Sequence, residues 1–359
     1  MKKILCYIDE LGSGGAERQM CCLACQLKKQ GYVVDVYCYH PIYFYEYYLI
    51  ENKINLIKEK TSPKNLFEKI QRSRRVIKKG NYDVVIAYAP GAVKLTLFLK
   101  LLGYKFKLLV SDRTTTPVPT TGQNILYNLY RLADYVVPNS HAQARILENH
   151  YPFLKKKIFP ITNTTDVNAF KPKESYDVSD TLKVICVGRH SPIKNVPVFL
   201  AALKILKDKG IHLHVTWIGN INTPTFKSYK DLPVTLGVSE MIKFLPHTHD
   251  VAQFYTKADV ICHPSILEGF SNVISEAMCS SLPVLCGKNV GDNSVLVEDG
   301  VNGFLFNSYS AESIAESIIH FSSLSKAERM EMGRQSRLRA EKMLSAETFV
   351  NKYINLIES

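Results

Sequence analysis

Long apolar runs are scarce in this 359-residue chain. Its best stretch, Leu95 to Leu102, is broken by Lys100 and falls well short of the ~20 residues that cross a bilayer. Met1-Lys2-Lys3 precedes only five apolar residues before Asp9, too few for a secretory signal. A regular cysteine framework is also missing. The nine cysteines are irregularly spaced, as in a cytoplasmic protein with reduced thiols. Cys22-Leu23-Ala24-Cys25 has redox or zinc spacing, but no second pair accompanies it and Cys21 crowds it, so core packing is expected. His247 and His249 flank Thr248 with no third ligand type nearby, which argues against a metal centre. Acidic residues are short in one half only. Residues 1–170 hold 25 Lys and Arg against 13 Asp and Glu, net +12, whereas residues 171–359 hold 20 of each.

Apart from these gaps, the composition is that of a globular protein, 46% hydrophobic and 22% charged, and long enough for two domains. The richest stretch runs from His263 to Met278. It follows the compact apolar run Ala258 to Cys262, which reads as a buried strand. Pro264 ends that strand, Gly269 permits a tight turn, and Ser271-Asn272 are good N-cap residues for a helix. A helix N-terminus suits phosphate, and the carboxylates Glu268 and Glu276 can accept hydrogen bonds from vicinal hydroxyls. Phosphate with hydroxyls describes a sugar nucleotide. The bland alternative is a strand-to-helix corner carrying two solvated glutamates.

Strands and helices alternate along the rest of the chain, which implies parallel sheets covered by helices. Ile4 to Ile8 reads as a strand, Gly12 to Gly15 as a glycine turn, and a helix follows from Ala16 toward Lys29. Further strands are expected at Tyr32 to Tyr39, Asp83 to Ala87, Lys107 to Val110, Leu182 to Val187, Val215 to Gly219, Ile242 to Leu245 and Leu282 to Cys286. A dinucleotide-binding reading of the first turn fails on two counts: Glu17 occupies the third glycine position, and Asp35 lies inside its strand. Polar turn residues from Pro160 to Pro172, extended through Lys173 to Asp180, mark a linker, and the boundary is placed between 170 and 171.

The frame Pro264-Ser265 to Glu268-Gly269-Phe270-Ser271-Asn272 and Glu276-Ala277-Met278 resembles the signature of the retaining glycosyltransferases of family 4. Gly14-Gly15-Ala16-Glu17-Arg18, the 160–172 segment, Gly188-Arg189 with Lys194, and the closing Glu298 to Leu305 pattern resemble the same family. The resemblance implies an α/β protein with two Rossmann-like parallel-sheet domains facing across a cleft, the GT-B architecture. Residues 1–170 would bind the acceptor, with the last helix (about 346–359) packing back onto them, and 171–345 would bind the nucleotide-sugar donor. It also implies that Arg189 and Lys194 contact the donor diphosphate and that Glu268 lies beside the donor sugar. Glu276 would bind ribose, and Gly14, Gly15, Gly188, Gly219, Gly269, Phe270, Ser271 and Asn272 would line the donor site. Asn195 stands where Gly is commoner. Many relatives carry a His in the N-terminal domain at the place following the Leu108–Val110 strand; here Ser111-Asp112-Arg113-Thr114 occupies that place, and both Asp112 and Arg113 are catalytic or acceptor-side candidates. His141 reads as an exposed residue near a helix start.

The expected donor is most simply a UDP-sugar, with no metal and no other cofactor, since no Asp-x-Asp sequence occurs. Basic charge is densest from Lys53 to Lys79, ten basic residues against two acidic. There Leu66, Phe67, Ile70 and Ile77 recur at helical spacing beside Arg72, Arg74, Arg75, Lys78 and Lys79, and Tyr37 to Tyr48 adds seven aromatics. This pattern predicts an interfacial helix on an anionic membrane, serving a polyprenyl-diphosphate-linked saccharide acceptor. A solvated basic helix over a buried tyrosine cluster is the alternative. A sugar-nucleotide epimerase would need an acid/base pair at C2 and no acceptor. A nucleic-acid-binding protein would leave Glu268 and Glu276 unexplained, so no nucleic-acid partner is expected.

Overall fold

The computed structural model describes residues 1–113, 115–176, 181–248 and 250–359. Thr114, His249 and part of the expected linker, 177–180, lie outside the described residues. The chain divides into two compact units, Met1–Thr164 with Ala346–Ser359, and Thr165–Ser345.

In the first unit the strands are β1 (Lys3–Ile8), β2 (Val33–Cys38), β3 (Asn55–Ile57), β4 (Val84–Tyr88), β5 (Lys107–Ser111) and β6 (Tyr135–Val136). They form one parallel sheet in the order β3-β2-β1-β4-β5-β6. Successive side chains of a strand point to opposite faces, so a doubly covered sheet needs apolar residues at every position. β1 meets this need: Ile4, Cys6 and Ile8 enter one core, and Leu5 and Tyr7 enter the other. The last helix, Ala346–Glu358, seals the first of these cores with Phe349, Val350, Tyr353, Leu356 and Ile357. Lys2 and Lys107 donate to the carbonyls of Ile357 and of Leu356 and Ile357, placing positive charge at the helix's negative end.

The second unit contains β7 (Leu182–Val187), β8 (Leu213–Ile218), β9 (Ile242–Leu245), β10 (Val260–His263), β11 (Val284–Gly287) and β12 (Gly303–Phe306). Its order is β12-β11-β10-β7-β8-β9, again parallel throughout. β7 alternates as β1 does, with Leu182, Val184 and Cys186 on one side and Ile185 on the other. The division between the units lies upstream of the boundary suggested by linker composition. Val167 and Phe170 pack against the second unit's core, and Arg337 donates to both of their carbonyls. Those two apolar residues explain why 165–170 belongs to the second unit.

Strand order reverses at β1/β4 in the first sheet and at β7/β10 in the second. In an open parallel sheet the loops leaving adjacent strands diverge at such a point, and ligands bind in the crevice beyond the carboxyl ends.

Cys21 and Cys25 pack in the first unit's core, and burial pushes the Cys25 thiol up to about 12, so Cys22-Leu23-Ala24-Cys25 is a packing element. No helix among the described residues is long and apolar enough to cross a membrane.

Candidate active site

Two loops leave the β7/β10 switch point. The first passes Gly188, Arg189 and His190, makes a short turn at Pro192–Lys194, and enters the helix Val196–Asp208. The second passes Pro264 to Phe270 and enters the helix Asn272–Cys279, where the Ser271 hydroxyl caps the start by accepting from the Ile274 amide. Ile266 N donates to Ile193 O at 2.9 Å, joining the loops directly. Asn195 has φ +59°, a left-handed conformation that Gly adopts freely and Asn tolerates. Its side-chain amide donates to Pro264 O at 3.2 Å and Ser308 O at 2.6 Å, bonds no glycine could make. The departure from Gly thus adds a tie. Gly219 is required by close approach, because a Cβ there would stand 2.1 Å from Gly188 O.

His190 and Arg189 point opposite ways. His190 is buried among Trp217, Phe226 and Phe244, with Nδ1 on the Tyr229 hydroxyl, and burial lowers it to about 4. Arg189 is exposed and has no ion pair among the described residues. Lys194 is already engaged: its ammonium pairs with Glu268 Oε1, and both side chains are mostly buried. The His263 ring, at the end of β10, reaches the same oxygen with Nε2 at 2.9 Å. An ionised carboxylate only accepts, so Nε2 carries the proton. Burial, aided by the Lys194 charge, depresses the imidazole and keeps it neutral. Burial alone would raise Glu268, but His263 and Lys194 together hold its carboxyl well below the usual range.

Glu268 Oε2 makes no hydrogen bond among the described residues, so one oxygen of the carboxylate is unclaimed. Glu276 is buried on the helix that Ser271 caps, with the Tyr255 hydroxyl 3.4 Å from its Oε2. Gly269 turns beneath the next loop, where Asp292 N donates to its carbonyl at 3.0 Å. Phe270 departs from its expected role as a lining residue. It is buried in the core beside Ile274 and Ala277, because the residue before the N-cap packs under the new helix.

In the first unit, Gly14 and Gly15 are exposed at the start of the helix Gly15–Lys29, whose N-cap has no side-chain partner. The Glu17 carboxylate folds back over this start and bonds its own backbone amide, so a carboxylate already sits against the first turn. The Asp112-Arg113 pair splits. Asp112 turns inward, its carboxylate accepting from Gln143 Nε2 at 2.9 Å and its carbonyl from Asn139 N at 3.0 Å. That inward position ties Asp112 to the helix His141–His150 through Gln143. Arg113 lies with its guanidinium 4.6 Å over the Tyr88 ring, donates to Asn163 Oδ1, and leaves its Nε without a partner. His141 is half-buried at the first position of the helix His141–His150.

The basic helix Leu66–Gly80 differs from an interfacial one. Arg72 is buried, ion-paired with Glu59 and Glu68 and bonded to Thr61, so it does not face a membrane. Ile77 lies in the core and Ile70 is packed against it, because the face carrying Ser73, Val76 and Ile77 covers the sheet. Arg74, Arg75, Lys78 and Lys79 are exposed, and Leu66 and Phe67 project at 66% and 67% exposure. Arg75 also pairs with Glu59, and Arg74 donates to the Tyr104 hydroxyl.

Sequence reasoning missed His263, though a histidine ending a wholly buried strand, five residues before the first signature glutamate, was a usable signal. It also missed Asp9, the first acid beyond β1. Its carboxylate accepts from Gly91 N and Ala92 N, fixing the first turn of Pro90–Leu101 beside the β1/β4 switch. Among the described residues no group of His, Cys, Asp and Glu is arranged to hold a metal ion.

Two family matches divide the chain as its sheets do. Residues 13–169 match the family described as Glycosyltransferase Family 4, and residues 168–339 match Glycosyl transferases group 1. The chain belongs to this glycosyltransferase family and has the GT-B fold. An uncharacterized glycosyltransferase of Haemophilus influenzae is 25% identical, covering 89% of this chain and 90% of its own. The N-acetylgalactosamine-N,N'-diacetylbacillosaminyl-diphospho-undecaprenol 4-alpha-N-acetylgalactosaminyltransferase of Campylobacter jejuni is 24% identical over 85% of this chain and 86% of its own. An Anabaena protein crystallised with UDP and glucose is 20% identical and matches over 100% of both chains with a TM-score of 0.82.

Proposed function

We propose that this glycosyltransferase is a retaining enzyme that moves a sugar from a UDP-sugar to a polyprenyl-diphosphate-linked saccharide in glycan assembly. The supporting observation is the Lys194–Glu268–His263 cluster beneath a capped helix start, with Arg189 exposed on the adjoining loop. Arg189 can grip phosphate oxygens bidentately, Lys194 offers a compact charge, and the helix start adds amides. They supply the countercharge in place of a divalent metal. Glu276 takes the ribose hydroxyls and Glu268 Oε2 a donor-sugar hydroxyl. The anomeric C–O bond to the diphosphate breaks, giving an oxocarbenium-like centre. The acceptor oxygen bonds from the face the leaving group quits, and its proton passes to a diphosphate oxygen. The Campylobacter jejuni relative's name and the Anabaena neighbour's bound UDP and glucose support these acceptor and donor classes. The deciding experiment is a screen of nucleotide sugars for release of the nucleoside diphosphate. One UDP-sugar should be cleaved slowly alone and faster with acceptor; no release from any donor would overturn the reading.

The acceptor's anionic carrier would hold the enzyme at the cytoplasmic face of the membrane, through the exposed part of the basic helix. Each basic residue near an anionic leaflet contributes on the order of 1 kcal/mol. Co-sedimentation with anionic vesicles should therefore occur at low salt, weaken as salt rises, and drop when Arg74, Lys78 and Lys79 become Ser. Those three changes should leave the melting temperature alone. Arg72→Ser should do the opposite, lowering stability through the lost ion pairs of a buried guanidinium with Glu59 and Glu68 and changing vesicle binding little. Wild type that ignores anionic vesicles at low salt would end the membrane claim.

A further inference from the structure

Lys194 and His263 converge on a single oxygen of Glu268. This arrangement bears on what happens when a diphosphate arrives, and so rests on the donor-site reading above. The cluster holds one cation, one carboxylate and a neutral imidazole, and is internally neutral. The Ser265 and Ser271 hydroxyls, 3.2 and 3.3 Å from Nε2, complete the ring's surroundings. The charged groups acting on His263 are Lys194, from the loop after β7, and Glu268, from its own turn. Across the sheet β11 places Cys286 beside it, a thiol that burial keeps protonated.

A diphosphate bound at the helix start competes with Glu268 for the Lys194 ammonium. Once Lys194 turns to the phosphate, a mostly buried carboxylate faces only a neutral ring. A buried charge stripped of its partner is strongly destabilising. The imidazole already bonded to Glu268 can restore balance by accepting a proton at Nδ1 from solvent. The added phosphate charge favours the same change. We propose that nucleoside diphosphate binding draws Lys194 off Glu268 and that His263 takes up a proton as it does so. His263 is thus a positioning residue: it keeps Glu268 ionised and in place through both states. The sign follows from linkage, since binding that takes up a proton strengthens as pH falls.

The test is calorimetry of UDP binding at pH 7 in buffers of different ionisation enthalpy, on wild type and on His263→Gln. The glutamine amide can still donate to Glu268 but cannot titrate in this range. UDP's own terminal phosphate titrates nearby, so the readout is the difference between the two proteins. A difference of ~0.3–1 proton per UDP is expected, near the fraction a histidine poised around neutrality can contribute. Imidazole NMR of wild type needs no variant: the His263 ring should shift from neutral toward protonated values on UDP addition. UDP binding without a His263-dependent proton and with unmoved ring signals would overturn the inference and leave the donor reading standing. Failure of wild type to bind UDP would overturn both.

Discussion

Lys194→Ala is expected to reduce kcat/KM about 100- to 1000-fold, the usual cost of removing one group that stabilises developing charge, roughly 2.7–4 kcal/mol. Folding should suffer far less. Lys194 is drawn into an ion pair with Glu268, and deleting one partner of a mostly buried pair normally destabilises. Here the loss is offset locally, because His263 bonds the same carboxylate oxygen and can take a proton in place of the missing cation. The variant should therefore melt close to wild type while losing turnover. Its His263 ring should read as protonated before any ligand is added, so UDP should no longer bring a proton with it. Near-normal turnover in a well-folded Lys194→Ala protein would remove Lys194 from the mechanism. A neutral ring in that variant would instead count against the local compensation.

Much of the fold was legible in sequence because turn and cap residues mark the strand ends. Apolar runs marked β1, β2, β4, β5, β7, β8, β9, β10 and β11, and Pro264, Gly269 and Ser271 marked where β10 stops and the next helix starts. The short strands β3 and β6, at the two edges of the first sheet, left no such trace, since three- and two-residue pairings carry no periodicity. Which residue faces inward was harder to read. Asp112 and Arg113 are equally polar, and only the packing of Gln143 beneath one and Tyr88 beneath the other separates them. The basic helix misled for a related reason. Of its expected stripe, Ile70 and Ile77 turn to the sheet while Leu66 and Phe67 project outward, because a stripe covering a sheet and a stripe meeting lipid share one pattern. Arg72 looks like its exposed neighbours until the carboxylates of Glu59 and Glu68 are placed around it.

The two signature glutamates should fail in different ways. Glu276→Ala should weaken UDP binding about 10- to 100-fold, as loss of a hydrogen bond to a charged group costs about 1.5–3 kcal/mol. Its carboxylate is buried on the helix that the Ser271 hydroxyl caps, where it serves nucleotide binding in the proposed division. Glu268→Gln should abolish transfer without that loss. The change removes the anion that occupies Lys194 in the unliganded protein, leaving the ammonium available to phosphate. UDP affinity should then stay level or rise, even as the donor sugar loses the carboxylate oxygen left open to it. This opposite movement of affinity and turnover is a stronger signature than either loss alone, because a merely damaged site would lower both. Equal weakening of UDP binding in the two variants would sink the division of roles. Retained transfer in Glu268→Gln would show that the Lys194–Glu268 pair serves structure, not the reaction.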